Sequence, residues 1–185
     1  MFSSASFGDQ SKPDLVIVVG YTYEEYSEKW AKLNPDIDFL LIDHRKPDLP
    51  NTRTLELSTF GGSYLAGILA AKVTKTNKLG VILGTKTWVL EDFHAGFEKG
   101  AKSQNHDREL EVRFISNEPP GFTNPEEGKR MANEMYESGC DIIYALAGAS
   151  GLGIIEAAKS EGNRFVIGVD WDQTYLGPNV IIASV

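Results

Sequence analysis

A chain of 185 residues that is 42% hydrophobic and 24% charged can fill one good core or two small lobes. Its 26 acids outnumber its 18 lysines and arginines for a net charge of −8, and the basic residues form no stripe, which argues against nucleic acid and anionic membranes as partners. Cys140 is the single cysteine, so an internal disulfide and a zinc–thiolate cluster are excluded, and no apolar run reaches the roughly 18 residues of a membrane-spanning helix.

Residues 1–13 read as a flexible lead-in, without the basic start and long apolar run of a secretory signal. Strands and helices then alternate. Residues 15–20 form a strand. Residues 23–33 form a helix with Tyr26, Trp30 and Leu33 on one face, stopped by Asn34-Pro35-Asp36. A buried run at 39–42 ends on Asp43. After the turn Leu49-Pro50-Asn51, residues 54–58 read as a strand with Leu55 and Leu57 alternating. Gly61-Gly62-Ser63 opens a helix at 64–74, packed through Leu65, Ala66 and Leu69. A strand at 79–83, a helix at 91–103 and a strand at 110–115 follow. Pro119-Pro120-Gly121-Phe122 is a loop, and Asn124, Pro125 and Glu127 have the spacing of an N-cap, N1 and capping box for a helix to about Ser138. Cys140, at the next junction, reads as a buried structural thiol.

The most informative stretch comes next. Residues 142–147 are a strand buried on both faces, 148–153 a glycine-rich turn into a helix stopped at Gly162, and 165–169 a second buried strand followed by Asp170. Residues 180–185 are a last apolar strand. The alternation implies an α/β fold with parallel strands. Periodicity does not decide between one sheet and two. The strand within 52–60, which follows another strand without a helix between, is how a chain leaves one sheet for another.

Open α/β sheets bind ligands at the carboxyl ends of their strands, so Ala147, Gly148 and Asp170 fall on one ligand-facing rim. Gly148, without a Cβ, lets a ligand approach closely. Asp170 accepts hydrogen bonds from a ligand or caps the turn 171–173. Asp43 has the same ligand role, or caps a loop or pairs with Arg45. Phe122 is a stacking surface or a lid on the core, Tyr21 a second rim aromatic, and Trp88 lines the ligand side or covers the core. Gly148-Ala149-Ser150-Gly151-Leu152-Gly153 with an acid 22 residues on mimics a dinucleotide fingerprint, but the glycine spacing differs and the unit does not open its domain. The single acids and the dispersed His44, His94 and His106 make no catalytic or metal constellation. No enzyme and no cofactor are expected.

Three motifs carry a family resemblance. Gly62-Ser63-Tyr64-Leu65-Ala66-Gly67-x-Leu69-Ala70-Ala71 with Thr74-Lys75-Thr76-x-Lys78-x-Gly80 is one. Ala147-Gly148-x-x-Gly151-Leu152-Gly153-x-Ile155-Glu156-Ala157-Ala158-Lys159 is the second, and Ile167-Gly168-Val169-Asp170-x-Asp172-Gln173-x-Tyr175-Leu176-x-Pro178 the third. Together they resemble the basic membrane protein family, purine-nucleoside-binding lipoproteins that serve ABC importers. The resemblance implies a type I periplasmic-binding fold, two α/β lobes around a hinged cleft, with residues 14–58 a partial first lobe, 59–172 the second and 173–185 a return toward the hinge. It implies a purine nucleoside as small-molecule ligand, an ABC permease as partner, and an extracytoplasmic, membrane-anchored lipoprotein, although no signal or lipobox stands in this sequence. Asp43 and Asp170 would face the ligand, Asp170 through ribose hydroxyls, and Phe122 would flank the purine. Here Phe122 stands in Gly-Phe-x-Asn, where the family usually has Ser-Phe-x-Asp. Gly84-Thr85-Lys86-Thr87, before Trp88, replaces the family's common paired glycines. The family starts earlier and runs on past Val185, so the chain resembles a central piece, with exposed apolar surface at 15–19 and 180–185. An effector-sensing domain of a regulator is the second reading, and a nucleotide-dependent α/β enzyme the third.

Overall fold

β1 (Leu15–Val19), α1 (Glu24–Leu33), β2 (Asp38–Ile42) and β3 (Thr52–Leu55) build the first of two units, which ends at Leu57; the second is Ser58–Val185. The computed structural model describes residues 12–45, 49–117, 119–160 and 162–185, so the expected lead-in lies almost wholly outside the described residues.

The first unit is a parallel sheet in the order β1-β2-β3. Its core is Val18, Ala31, Ile37, Phe39 and Leu41, with Trp30 partly buried against it. α1 presents Ser27 and Ala31 inward, not the expected face: Tyr26 and Leu33 are exposed. Small residues win because the Ser27 hydroxyl folds back onto the carbonyls of Tyr23 (2.7 Å) and Glu24 (3.0 Å), which lets the helix lie close to the sheet. The buried Asn51 Nδ2 donates to the carbonyls of Ala31 (3.1 Å), Asn34 (3.0 Å) and Ile37 (2.9 Å), tying the end of α1 to the start of β3. β3 therefore begins at Thr52, earlier than expected, and Leu55 and Leu57 are exposed. The outward face of β1 is apolar: Leu15, Ile17 and Val19 are 50%, 57% and 59% exposed.

The second unit contains α2 (Phe60–Val73), β4 (Lys78–Leu83), α3 (Trp88–Gln104), β5 (Glu109–Phe114), α4 (Pro125–Glu137), β6 (Ile142–Leu146), α5 (Gly151–Lys159), β7 (Phe165–Gly168) and β8 (Ile181–Ser184). Its five strands are parallel in the order β5-β4-β6-β7-β8. The continuous apolar runs resolve into two faces with the two-residue period of a strand. Leu79, Val81, Leu83, Tyr144 and Leu146 meet Ala66, Ala70, Phe97 and Ala101 on one side. Ile82, Ile143 and Ala145 meet Ala132, Met135, Ile154 and Ala158 on the other. β8 is paired along β7, and its residues are buried or half-buried, so the exposure expected at 180–185 is not found.

α2 starts at Phe60, with Gly61 and Gly62 inside the helix, because its first turn is capped from α3: Asp92 Oδ2 accepts from Phe60 N (3.0 Å) and Thr59 Oγ1 (2.8 Å). α2 packs through Ser63, Ala66, Gly67, Ala70 and Ala71, and Leu65, expected in the stripe, is exposed. The two helices touch backbone to backbone. A Cβ on Gly67 would come within 2.2 Å of the Phe97 carbonyl oxygen, and one on Gly100 within 2.0 Å of that of Tyr64. At α4, Asn124 Oδ1 accepts from Glu127 N (3.2 Å), but the Glu127 carboxylate turns to Arg130, so only half of the expected capping box forms. α5 already begins at Gly151, and beyond its end Asn163 (φ 65°), not Gly162, takes the left-handed conformation. Cys140 is buried, and burial pushes its thiol up to about 12, away from any nucleophilic role.

Two expectations follow from this packing. Gly100→Ala should cost about 1–3 kcal/mol of stability by urea denaturation, whereas Gly61→Ala, whose Cβ would meet nothing within 4 Å, should be neutral or stabilising. The bare face of β1 should make the chain associate as its concentration rises, and Ile17→Lys should suppress this; sedimentation velocity showing a concentration-independent monomer before the substitution would contradict it.

Candidate ligand site

Three adjacent strands of the second sheet, β4, β6 and β7, deliver Gly84, Ala147–Gly148 and Asp170 to one edge. The chain leaves β6 through a short 3-10 turn, Gly148–Ser150, that runs directly into α5. Gly148 enters this turn at φ 53°, a left-handed value that suits glycine. Ala147 is fully buried beneath it.

Asp170 also has a left-handed φ, 72°. Its N–H donates to the Val185 carbonyl (2.8 Å). The N–H of Trp171 goes to the Val169 carbonyl (2.9 Å) and that of Gln173 to Ser184 Oγ (3.1 Å), so neither is capped by the Asp170 carboxylate. Among the described residues no donor reaches that carboxylate. The surrounding atoms crowd it enough that desolvation holds its carboxyl above the ordinary value, although it opens to solvent at the rim. Its charge reaches Tyr144 below, whose hydroxyl pairs with Ser63 Oγ (3.1 Å) and is pushed up mainly by burial.

Asp170 opens onto a cavity of about 480 Å³ whose lining includes Gly148, Leu152, Trp171, Gln173 and Tyr175. That volume suits a small organic ligand. Trp171 and Tyr175 are 64% and 70% exposed. The 3-10 turn Thr174–Leu176 that carries Tyr175 is held by Asp172 Oδ1, which accepts from Thr174 N (2.9 Å) and Oγ1 (2.5 Å). Sequence reading missed Leu152, Trp171, Gln173 and Tyr175. The signal was there in two aromatics within five residues of the strand-end acid.

Phe122 ends a 3-10 turn, Pro119–Phe122, and is half-buried against the core. Its ring lies over the ends of β4 and β6: a Cβ on Gly84 would stand 2.6 Å from its Cδ1, and one on Gly148 3.4 Å. It does not line the cavity beside Asp170. Trp88 is the first residue of α3, half-buried, just after the Thr87 cap, whose Oγ1 accepts from Leu90 N (3.3 Å). The structure thus brings Ala147, Gly148, Asp170 and Phe122 together.

The remaining two candidates belong to the first unit. Asp43 stands at the carboxyl end of β2 with φ 56°. Its N–H donates to the Leu55 carbonyl (2.9 Å), and its Oδ1 accepts from Leu57 N at 3.3 Å, a weak loop cap. Tyr21 opens the 3-10 turn Tyr21–Tyr23 after Gly20 and is half-buried. Among the described residues no three His, Cys, Asp or Glu side chains are grouped to hold a metal, and no helix is long and apolar enough to cross a membrane.

Residues 5–185 match the model of a family described as ABC transporter substrate-binding protein PnrA-like. The chain is 38% identical over 175 residues to basic membrane protein A1 of Borrelia garinii subsp. bavariensis, covering 92% of this chain and 51% of that protein. It is 34% identical over 176 residues to the ABC transporter nucleoside-binding protein BmpA of Lactococcus lactis subsp. cremoris, covering 91% and 49%. The chain therefore spans about half the length of the curated relatives it matches. A solved ABC transporter solute-binding protein from Aeropyrum pernix superposes with a TM-score of 0.79 at 26% identity, over 92% of this chain and 50% of that one.

The unpaired acid has a measurable consequence. A carboxyl held above its ordinary value in the folded chain opposes folding once it ionises; its full contribution stands below about pH 4 and is lost as pH rises through the raised value. Asp170→Asn should raise Tm by a larger margin at about pH 7 than at about pH 3.5. Asparagine also suits the left-handed backbone, but that gain does not depend on pH. Equal margins in calorimetry at both pH values would rule out the charge effect.

Proposed function

The chain belongs to the PnrA-like family of ABC transporter substrate-binding proteins, and from that premise we propose that it captures a purine nucleoside or a closely related small ligand for import. The observation that carries this reading is Asp170: a carboxylate with no donor among the described residues, at the carboxyl end of a buried strand, facing a cavity of about 480 Å³. Partly desolvated yet open at the rim, Asp170 keeps its acceptor capacity for a ligand, and vicinal ribose hydroxyls are a donor pair that one carboxylate can accept together. The name of the Lactococcus lactis relative, a nucleoside-binding protein, supports the same chemistry.

The roles divide by residue type. Asp170 takes the ribose. Phe122 offers a ring face to the base, over the backbone of Gly84 and Gly148. Trp88 walls the same rim. In the first unit Asp43 is a second acceptor, with one oxygen already engaged weakly by Leu57 N (3.3 Å), and Tyr21 a second aromatic. The work is capture without turnover, so no catalytic group is needed. The natural partner is an ABC permease, and the setting is extracytoplasmic, on a lipid-anchored protein.

Isothermal titration with guanosine, adenosine and their free bases tests the division of roles. In a protein of the relatives' length carrying this sequence, Asp170→Ala should weaken nucleosides roughly ten- to hundredfold, the worth of one or more bonds to a charged acceptor, and leave the free bases nearly unchanged. Phe122→Ala should weaken nucleoside and base alike, in line with a stacking contribution of about 1–3 kcal/mol. The 185-residue chain alone should bind weakly. If Asp170→Ala weakens the free base as much as the nucleoside, or changes neither, the ribose role is wrong.

A further inference from the structure

Ser150 is fully buried at the end of the turn that begins with Gly148. Its hydroxyl donates to the Gly121 carbonyl (2.7 Å) and accepts from Asn124 N (2.8 Å). These two partners bracket Phe122 in the chain, one residue before it and two after. Among the described residues, the bonds the loop makes within itself are local: Thr123 N and Oγ1 both reach the Pro120 carbonyl, at 3.1 and 3.3 Å. Such bonds shape a turn but do not say where it sits on the sheet. Gly121 lies hard against the Gly84 backbone, where a Cβ would come within 1.7 Å of the carbonyl oxygen. That contact limits approach, whereas the Ser150 hydroxyl supplies the hold.

We propose that Ser150 is the positioning residue of the ligand site: it fixes the loop that carries Phe122 so that the ring lies over Gly84 and Gly148. This deepens the stacking role proposed for Phe122 and rests on it. The same short turn places Gly148 at one end and Ser150 at the other, and Ser150 N is bonded to the Ala147 carbonyl (3.0 Å). The separation between the stacking ring and the backbone beneath it is therefore set within one turn. A hydroxyl has one proton to give and lone pairs to receive with, so a single side chain can satisfy both an orphan carbonyl and an orphan N–H. Alanine at 150 would strand both groups, and the loop could recover water for them only by lifting.

The direct readout is the position of the ring. Nuclear Overhauser contacts from the Phe122 ring protons to the α-protons of Gly84 and Gly148 should weaken severalfold in Ser150→Ala. Those between Phe97 and Tyr144, whose ring centroids lie 5.0 Å apart on the same unit, should persist. Unchanged Phe122 contacts overturn the proposal. Loss of both sets also overturns it, because Ser150 would then hold the fold as a whole. Binding gives a second readout, again in a protein of the relatives' length. Ser150→Ala should weaken guanosine roughly three- to tenfold, part of a full stacking contribution, but cause no further loss when Phe122 is already alanine. Equal losses in the two backgrounds overturn the positioning role. If Phe122→Ala alone leaves guanosine affinity unchanged, the stacking reading falls, and the ring contacts alone decide whether Ser150 positions the loop.

Discussion

α5 lies against α4 so closely that a Cβ on Gly153 would come within 1.8 Å of the Pro125 carbonyl oxygen, and the rim of the second sheet depends on that approach. Gly128 makes the reciprocal contact, with the Ser150 carbonyl 2.4 Å from where its Cβ would stand. Together they bring the first turn of α5 beside the first turn of α4. Only then can the Ser150 hydroxyl reach Gly121 and Asn124, and only then does Phe122 come down over the strand ends. The opposite face of the sheet uses the same device between α2 and α3, so both helix pairs sit at backbone distance with the apolar strand residues sealed between sheet and helices. The fold gives up side-chain area at these crossings and gains a rigid platform.

Polar groups are treated differently at the two ends of the strands. Asp141, just before β6, is buried and fully employed: it accepts from Thr74 Oγ1 and Lys75 N, both at 2.6 Å, and so locks the end of α2 to the amino end of the sheet. Asp170, just after the neighbouring β7, has no such donors among the described residues. The two acids are chemically identical and differ only in what the chain provides around them. Satisfying Asp141 stabilises the fold; leaving Asp170 open costs some stability and keeps an acceptor ready. The proposed capture and release of a ligand would require the second arrangement, since a carboxylate already matched by the protein would have nothing left to offer.

Strand interiors were legible in the sequence because burial on both faces writes itself as an unbroken apolar run, as at residues 79–83 and 142–146. The acid at the end of β7 and the glycine turn after β6 were legible for the same reason: each interrupts such a run. Helix faces were harder. Tyr26, Leu33 and Leu65 look like packing residues, but the contacts are made by Ser27, Ala31, Ala66 and Gly67, since close approach rewards small volume over hydrophobicity. The start of α2 could not be read locally, because Asp92, 32 residues further on, caps it. The capping box at α4 failed in its second half because Arg130 offered Glu127 a charged partner one turn along the helix. Trp171 and Tyr175 were overlooked because turn residues carry no periodicity to draw attention to them.

The chemistry of Cys140 bears on how such a molecule can be watched. It is the only sulfhydryl in the chain, it is buried, and its proton is held to about 12. Maleimide or methanethiosulfonate reagents at neutral pH therefore meet almost no native thiolate. A cysteine placed at an exposed point such as Lys86 would be the single handle for a fluorophore or spin label, with no need to remove the native residue and disturb the junction between α4 and β6. The chain is thus already a background for distance measurements, in which movement of its rim could be followed one labelled position at a time.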